Sequence, residues 1–427
     1  MVRSVDESEI PTGWKFTQLD QLAKRKSGHT PSKSFPEYWD GGIKWISLTD
    51  SSRLDDGYIS ETAKEISQLG IENSSAELLP AETVVLSRDA GIGKSAVMSE
   101  TMAVSQHFIA WVCDNNKLLD SWFLYNWLQM YKPEFERQAV GSTIKTIGLP
   151  FFKKLKILAP PFSEQRKIAK ILSTWDKAIS ATELLIDNSK QQKKALMQQL
   201  LTGKKRLLDE SGKPFEGEWE EVELDNICRR VTEKNNGQST NVVTISAQHG
   251  LIRQDEFFKK SVASEILDNY FILRRGQFAY NKSYSKGYPM GAIKRLNRYK
   301  DAVVTSLYIC FEVTEHLDTN IHFLEQYFES GLLNHGLTRV AAEGGRAHGL
   351  LNVKPSDFMA LKLKLPNYSE QQKIAAALIN ADKKIELIEK QLADLQQEKK
   401  SLMQQLLTGK RRVDTETKNF EKGCQND

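Results

Sequence analysis

The fold of this 427-residue chain is governed by the stretch PPFSEQRKIAKILSTWDKAI at residues 160–179, which recurs as PNYSEQQKIAAALINADKKI at residues 366–385. Further along, KKALMQQLLTGKKR at residues 193–206 recurs as KKSLMQQLLTGKRR at residues 399–412. Both recurrences share one offset of 206 residues, and more than half of the aligned positions are identical. Self-similarity at a fixed offset indicates an internal repeat. The chain is therefore interpreted as a duplication.

Apolar residues in both long repeats alternate at spacings of four and three, a 3.5-residue period that places them on one helix face and favours coiled-coil pairing. The predicted interface consists of Ile168, Leu172, Trp175, Ile179, Ile186, Leu196 and Leu200 in the first repeat and of Ile374, Leu378, Ile385, Ile388, Leu392, Leu395, Leu402 and Leu406 in the second. Lys193 and Lys399 occupy equivalent positions in this seam. They would either specify the register or extend their ammonium groups to solvent, and the second alternative is preferred.

Each long repeat also carries signals for the start and the stop of a helix. Ser163 and Ser369 are the predicted N-caps, and Gly203 and Gly409 stand where glycines after a helix C-terminus belong. A straight helix over residues 163–201 would be roughly 58 Å long at about 1.5 Å per residue. This length exceeds that of an ordinary globular helix.

The two helices are predicted to pair with each other, because two near-identical seams in one chain meet at high effective concentration. Alternatively, each helix packs only on its own domain or pairs with another molecule. Since the second helix must return along the first, we expect an antiparallel intramolecular coiled coil with pseudo-two-fold symmetry and two α+β globular domains. The predicted boundaries are a first domain at 1–159, a central helix at 160–206, a second domain at 207–365, a C-terminal helix at 366–412 and a polar tail at 413–427.

The regions outside the long repeats show the mixed pattern of an α+β domain. Runs of β-branched and aromatic residues predict strands at 44–48, 83–86, 106–112 and 303–313. Apolar residues at helical spacing follow Ser121 and Thr319 and predict one helix after each. The sequence does not determine how the strands are ordered.

The composition excludes several classes of protein. With 59 Lys+Arg against 55 Asp+Glu, the net charge is +4, and 40% hydrophobic residues are enough for globular cores. Four cysteines without a Cys-x-x-Cys pair argue against a disulfide framework or a zinc ribbon and fit a reducing compartment. No apolar run approaches the ~20 residues that span a bilayer, and the N-terminus lacks the apolar core of a signal peptide. We expect a cytoplasmic protein with no membrane association.

The motifs that resemble catalytic sites are incomplete. The run GIGKS at residues 91–95 resembles the end of a phosphate-binding loop, but Arg88 stands where that pattern requires its first glycine. A turn that presents Arg88, Lys94 and Ser95 to a DNA backbone and a plain hairpin turn both remain open. The run APPF at residues 159–162 lacks the Asn or Asp of the amino-methyltransferase motif, and the histidines lack the His-Glu-x-x-His spacing of a metal site. Neither enzymatic activity nor a metal site is predicted.

Local charge points to nucleic acid although the net charge is small. Residues 274–300 contain many basic residues, interleaved aromatic residues and no acidic ones, and residues 141–156 form a weaker acid-free stretch. Lys and Arg can neutralise phosphates, while polar side chains can read base edges. The predicted DNA-binding residues are Thr30, Ser32, Lys33, Arg88, Lys94, Ser95, Ser142, Thr143, Lys145, Arg275, Asn281, Lys282, Tyr284, Lys286, Arg346 and His348. The alternative for residues 274–300 is a basic surface hairpin without a ligand.

This layout resembles the specificity subunit of type I restriction-modification systems over nearly the whole chain. The resemblance is carried by SEQRKIA at 163–169 and SEQQKIA at 369–375, by LLTGK at 200–204 and 406–410, and by GHTPS at 28–32 with Trp39 and Trp45. It implies a non-catalytic protein with two target-recognition domains, each of which reads one half of a bipartite asymmetric site in double-stranded DNA.

The resemblance also implies partners. The long helices would separate the two half-sites and dock two modification subunits that bring S-adenosylmethionine, and restriction subunits would add ATP- and Mg²⁺-dependent cleavage. This chain would bind no cofactor itself. The main alternative, from another class, is a coiled-coil scaffold whose variable domains bind proteins. A stand-alone methyltransferase or nuclease is the third possibility, and the missing cofactor loop argues against it.

Overall fold

The computed structural model describes residues 10–113, 117–142, 144–246, 249–257, 267–314, 318–341 and 351–414. The chain divides into two compact units: unit 1 comprises residues 1–183 and 390–427, and unit 2 comprises residues 184–389. Each long helix therefore contributes one part to each unit. The five segment boundaries proposed from the sequence stay a prediction.

Unit 1 combines sheets with helices. Its strands are β1 (Lys15–Gln18), β2 (Lys24–Ser27), β3 (Trp39–Ile46), β4 (Tyr58–Ile59), β5 (Glu65–Ile66), β6 (Val84–Ser87), β7 (Ser95–Met98), β8 (Ala103–Val104), β9 (Phe108–Val112) and β10 (Lys156–Ala159). Its helices are α1 (Gln68–Glu72), α2 (Ser121–Gln138), α3 (Leu149–Lys153) and the first part of α4 (Phe162–Leu200). The main sheet has the order β2-β9-β6-β7-β4, a smaller sheet has the order β5-β3-β8, and β1 pairs with β10. Trp111, Phe123 and Phe152 fill a core that also includes Ile168 and Leu172 of α4.

Unit 2 repeats part of this plan. Its strands are β11 (Glu220–Glu223), β12 (Cys228–Arg230), β13 (Val243–Ser246), β14 (Gly250–Arg253), β15 (Phe271–Arg274), β16 (Phe278–Asn281), β17 (Ala292–Arg295), β18 (Asp301–Val304), β19 (Ile309–Val313) and β20 (Lys362–Leu365). Its helices are α5 (Leu224–Ile227), α6 (Gln254–Phe257), α7 (Ile321–Glu329), α8 (Asn334–Ala341), α9 (Pro355–Met359) and the first part of α10 (Tyr368–Leu406). The sheet order β12-β19-β16-β17 repeats the order β2-β9-β6-β7 of unit 1, and β11 pairs with β20 as β1 does with β10. The α+β class of both units is confirmed.

The two long helices, α4 and α10, are 39 residues each and lie antiparallel. In unit 1, Leu172 near the start of α4 shares a core with Leu406 at the end of α10. In unit 2, Leu200 at the end of α4 shares a core with Ile374 and Leu378 near the start of α10. The predicted antiparallel intramolecular pairing is therefore confirmed. Among the described residues, no helix is both long and apolar enough to cross a membrane.

Every side chain of the predicted helix interface is at least partly removed from solvent. The buried ones are Ile168, Leu172, Ile186, Leu200, Ile374, Leu378, Ile385, Ile388 and Leu406. The half-buried ones are Trp175, Ile179, Leu196, Leu392, Leu395 and Leu402. The 3.5-residue period thus identified the covered face of both helices.

The helix stops follow the sequence signals, whereas the starts do not. Gly203 and Gly409 have φ of +69° and +71°, and a Cβ at Gly409 would lie 2.4 Å from the Pro11 ring. Glycine fits both positions because it tolerates the left-handed region and the close approach. The predicted N-caps Ser163 and Ser369 are wrong, because α4 and α10 already begin at residues 162 and 368. At α10, Asn367 Oδ1 accepts the Glu370 N–H at 2.9 Å, as a helix cap does.

The strands and helices predicted outside the long repeats are mostly present, with one correction. Helices α2 and α7 follow the predicted starts and are capped by Asp120 and Asn320. The run 303–313 is not one strand but β18 and β19, because Tyr308 N donates to Thr305 O at 3.1 Å and closes a turn between them. The Thr305 side chain also accepts the Leu307 N–H, so a β-branched residue that suggested a strand closes the turn instead.

Candidate nucleic-acid interface

A buried carboxylate fastens the start of each long helix to the segment that follows the other. In unit 1, Glu164 is 2% exposed and accepts two hydrogen bonds from the Arg412 guanidinium, both at 2.8 Å. In unit 2, the fully buried Glu370 accepts two from Arg206, both at 2.7 Å. Two-point pairing of a guanidinium with a carboxylate satisfies a charge that would otherwise be costly to bury. These two pairs are called the helix-end clasps.

A buried glutamine next to each clasp carboxylate joins the helix start to the loop in front of α2 or α7. Gln371 Nε2 donates to the carbonyls of Asp318 and Pro366 at 2.9 and 2.8 Å, and its Oε1 accepts the Asn320 N–H at 2.8 Å. Gln165 makes the same three kinds of bond with the backbone of Leu118, Pro160 and Asp120. Both side chains are about 1% exposed. Each unit is thereby fixed to its helix by a fully bonded polar group.

The two seam lysines bind carboxylates of the facing helix. Lys193 Nζ lies 2.5 Å from Asp382 Oδ1, and Lys399 Nζ bonds to Asp176 Oδ1. Only 16% and 18% of the two lysine side chains are exposed. In unit 2, Gln326 Nε2 also donates to Asp382, at 3.0 Å. The preferred expectation that these ammonium groups extend to solvent is therefore wrong, because each binds a half-exposed carboxylate of the facing helix.

The clasps, the buried glutamines and the seam ion pairs together are called the helical frame. Its polar residues recur at an offset of 206 residues. The recurring pairs are Glu164 and Glu370, Gln165 and Gln371, Asp176 and Asp382, Lys193 and Lys399, and Arg206 and Arg412. Sequence reasoning found the repeat but gave only the lysines a structural role. A signal was available, since these polar residues are identical in both repeats while apolar seam residues such as Trp175 and Ala381 differ.

In unit 1, the glycine-rich run is a hairpin turn. Strands β6 and β7 pair antiparallel on either side of residues 88–94, and Gly91 and Gly93 have φ of +87° and +79°. A phosphate-binding loop would instead lead from a strand into a helix. These residues therefore form a hairpin turn and not a phosphate-binding loop, and a contact of this turn with DNA stays a prediction.

Direct contacts connect this hairpin turn to the other predicted loops of unit 1. Asp89 accepts hydrogen bonds from His107 Nδ1, at 2.5 Å, and from the Thr146 hydroxyl. The neighbouring Gln106 bonds to the Thr30 hydroxyl. The turns around residues 30, 88–94 and 141–146 thus form one connected polar surface. Sequence reasoning missed Asp89, Gln106 and His107, which join these turns.

The predicted residues of this surface differ in their availability. Ser32, Lys33, Ser142 and Lys145 are exposed, whereas Thr30, Arg88 and Lys94 are half-buried. Lys94 Nζ donates to the Ser51 carbonyl at 2.7 Å, and Arg88 Nε lies 3.8 Å from Asp89. The prediction for Ser95 is wrong, because its side chain is fully buried and accepts a bond from Gln129 at 2.8 Å. Thr143 lies outside the described residues.

A cavity of about 490 Å³ lies beside the hairpin turn of unit 1. Its lining includes Lys94 and Lys145 from the predicted set, together with Lys132 and Glu136 of α2. Lys132 is paired with Asp55 at 2.6 Å. Of the lining lysines, Lys145 is thus the exposed one, and it makes no ion pair with any residue that the structure describes. The structure brings Lys94 and Lys145 together although they are far apart in sequence.

In unit 2, the acid-free run 274–300 is partly neutralised by acids from other segments. Four of its basic residues form ion pairs: Arg274 with Glu233, Lys294 with Glu329, Arg295 with Glu325 and Arg298 with Glu256. Lys294 is 9% exposed, and the hydroxyl of Tyr288 also donates to Glu329, at 2.7 Å. Burial and the Glu329 carboxylate raise the pKa of Tyr288. Lys294 and Arg295 are thus buried in their ion pairs, whereas Arg274 and Arg298 remain about half-exposed in theirs.

The remaining charge of this run is most exposed in the connection between β16 and β17. Lys286 is exposed and Tyr284 is 64% exposed, while Lys282 is half-buried. Burial, together with the nearby Arg230 guanidinium, lowers the pKa of Lys282. Within the described part of the chain, neither Lys282 nor Lys286 makes an ion pair. A phosphate would relieve the repulsion between Lys282 and Arg230.

Arg275 and Asn281 are placed differently from each other. Arg275 is exposed in the turn before β16, whereas Asn281 ends β16 and its side chain accepts the Ser283 N–H at 3.1 Å. The structure therefore groups Asn281, Lys282, Tyr284 and Lys286 at one end of β16 and leaves Arg275 at the other. Arg346 and His348 lie outside the described residues.

The exposed lysines and polar turns of this arrangement can contact a polyanion. Within the described ranges, no group of His, Cys, Asp and Glu side chains has the geometry of a metal site. Two unlike α+β units thus share one repeated set of helix contacts.

A family model described as the type I restriction modification DNA specificity domain matches residues 11–188. The MjaVIII specificity subunit of Methanocaldococcus jannaschii is 25% identical over 440 residues, which cover 95% of this chain and 94% of that protein. The MjaIX specificity subunit of the same organism is 27% identical, but the match covers 45% of this chain and 43% of that protein.

Solved structures give the same fold at low sequence identity. A type I restriction-modification S subunit from M. genitalium has a TM-score of 0.52 at 14% identity, covering 93% of this chain and 96% of that one. A chain from a study of complex assembly in the type I system has a TM-score of 0.58 at 14% identity, covering 93% and 98%. The chain is thus similar in sequence to type I restriction-modification specificity subunits and shares the fold of the solved ones.

Proposed function

We propose that this chain is the DNA-reading subunit of a type I restriction-modification enzyme and that its two units read the two unlike halves of a bipartite asymmetric site. The proposal rests on a contrast between the polar contacts that hold the long helices and the exposed turns of the two units. The clasps, the buried glutamines and the seam ion pairs recur in both units, whereas the exposed turns differ in sequence and structure. One scaffold that presents two different surfaces suits two different half-sites.

In unit 2, the recognition surface is assigned to the turn that carries Lys282, Tyr284 and Lys286. Lysines neutralise phosphates, and an exposed tyrosine can contact base or sugar edges. In unit 1, it is assigned to the connected turns that carry Thr30, Ser32, Lys33, Ser142 and Lys145, with Arg88 and Lys94 beneath them. Thr143, Arg346 and His348 remain assigned by sequence alone.

The chain is further proposed to act without a cofactor of its own. Modification subunits would supply S-adenosylmethionine, and restriction subunits would supply ATP- and Mg²⁺-dependent cleavage. Some exposed helix residues are identical in both repeats, such as Lys194 and Lys400 or Gln198 and Gln404. Surface identity without an internal contact supports two equivalent docking faces, one for each of two modification subunits. Native mass spectrometry of the assembled complex counts those subunits directly.

The experiment that tests DNA reading is methylome sequencing of cells that carry the chain with its modification subunits. We expect one interrupted, asymmetric motif. Replacing the first domain with that of another specificity subunit should change one half of this motif only. A continuous or palindromic motif, or a change in both halves, would contradict the proposal.

The assignment in unit 2 has a matched control. Lys282→Ala and Lys286→Ala should each reduce the magnitude of the slope of log affinity against log salt by about 1, because each removes about one phosphate contact. Lys300→Ala removes an exposed charge from the other end of β16 and should leave the slope within error. Equal effects at all three positions would indicate diffuse attraction. Salt-independent binding, or none, would favour the protein-binding scaffold instead.

A further inference from the structure

A groove in unit 1 lies next to Asp414, the last residue that the structure describes. It encloses about 690 Å³ and is lined by Lys167, Ile171 and Trp175 of α4, by the last turns of α10 and by the segment that ends at Asp414. Its lining combines large apolar side chains, such as Trp175 and Leu402, with charged ones, such as Lys167 and Glu398.

In unit 2, the equivalent place is covered by the linker that follows α4. Lys373, the counterpart of Lys167, donates to the Leu208 carbonyl at 2.9 Å and lies 5.7 Å from the centre of the Phe215 ring. Phe215 N donates to the Leu207 carbonyl at 3.0 Å, which closes the linker into a hairpin. The phenyl ring therefore packs beneath the lysine that holds the start of the linker.

Unit 1 contains the first contacts of the same arrangement. Lys167 donates to the Asp414 carbonyl, which is the contact that Lys373 makes with Leu208 at an offset of 206 residues. Val413 packs against the core of unit 1, as Leu207 packs against that of unit 2. The two segments follow equivalent paths up to position 414.

The sequence beyond this point repeats the motif of the linker. The linker has DESGKPFE at residues 209–216, and the tail has DTETKNFE at residues 414–421, so that Asp, Lys, Phe and Glu recur at the same spacing. Phe420 thus corresponds to Phe215. The tail is one residue shorter before this motif, and Thr417 stands where Gly212 has a φ of +81°, so the turn itself need not be the same.

We propose that residues 415–421 of the tail dock into the unit 1 groove, with the Phe420 ring against Ile171, Trp175 and the stem of Lys167. The groove is more apolar than its counterpart, because Ile171 and Trp175 stand where unit 2 has Ala377 and Ala381. An aromatic ring gains from burial against such side chains and from a neighbouring ammonium group. The inference rests on the repeat and the groove and is independent of the DNA-binding proposal.

The direct test places a photoreactive benzoylphenylalanine at position 420 of the full-length chain and maps its cross-links by mass spectrometry. We expect intramolecular cross-links to peptides that contain residues 167–175 and 398–414. The same group at Gln425, beyond the motif, is the control and should not label these peptides preferentially. Cross-links that are scattered, only intermolecular or equal from both positions would overturn the proposal.

A second measurement does not depend on a photoreactive residue. Amide hydrogen exchange near residues 402–413 should be about five- to tenfold faster in a chain that ends at Asp414 and in Phe420→Ala, because a docked segment suppresses local opening. Phe420→Tyr keeps the ring and should retain the slow exchange. Unchanged exchange in both the shortened chain and Phe420→Ala would refute docking.

Discussion

The ion pair between Lys193 and Asp382 should contribute to stability as a coupled unit. In Lys193→Met, Asp382 keeps its bond from Gln326 and is 45% exposed, so the loss should be about 1 kcal/mol. In Asp382→Ala, the ammonium group loses its carboxylate while its side chain is only 16% exposed, and the loss should reach about 2–3 kcal/mol. The double variant should be close to Lys193→Met, because no charge is then left unpaired. The resulting coupling free energy is about 2–3 kcal/mol.

The assay is urea denaturation of the purified chain and the three variants, followed by helix circular dichroism. The pair Lys190–Glu389, on the same two helices, is the control: its side chains are 54% and 48% exposed, so its coupling should be below about 0.5 kcal/mol. The equivalent pair Lys399–Asp176 should repeat the larger value. A coupling below about 0.3 kcal/mol at Lys193–Asp382 would refute the argument and restore the solvent-directed lysine.

Two further predictions concern polar groups of unit 2, the buried Gln371 and the more exposed His322. Gln371→Leu should lower the free energy of unfolding by about 3 kcal/mol, because three backbone groups lose their partner, whereas exposed Gln372→Leu should change it little; equal losses in urea denaturation would contradict this account. His322 has a lowered pKa because of burial and the Arg295 guanidinium, so its stabilising contribution is present above the unfolded-state pKa and is lost as the pH falls toward the folded-state value. His322→Gln should therefore flatten the decrease in unfolding free energy between pH 7.5 and pH 5.5, and an unchanged decrease would exclude His322 as its source.

Periodicity was sufficient to predict the helices but not the helical starts. A repeated apolar spacing reports one covered face over 39 residues, so individual deviations average out. A start depends on a few residues: Ser163 and Ser369 have good capping side chains, but the backbone turns earlier, at Pro161 and Asn367. The turn at Thr305, which interrupts the predicted strand 303–313, was missed for a similar reason. Strand propensity is averaged over several residues, whereas this turn depends on one side-chain hydrogen bond.

Charge was harder to interpret from sequence than hydrophobicity, because the partners of a charge come from distant segments. The run 274–300 contains no acid, yet Lys294 and Arg295 are paired with Glu329 and Glu325 of α7. Ser95 likewise belongs to a buried strand, although its neighbour Lys94 lies in an accessible turn. A local stretch therefore indicates where charge is concentrated, while tertiary pairing determines which part of it is available.

The polar residues that hold the long helices and the residues of the exposed turns are under different physical constraints. Residues that hold each unit to its helix are satisfied internally: Glu164 and Glu370 by arginines, and Gln165 and Gln371 by backbone groups. Substituting any of them leaves a buried polar group unpaired, which costs about 1–3 kcal/mol per group. Exposed turn residues carry no such penalty, since water replaces whatever bond is lost. The internally bonded residues are thus constrained by stability, whereas the exposed turns are free to vary.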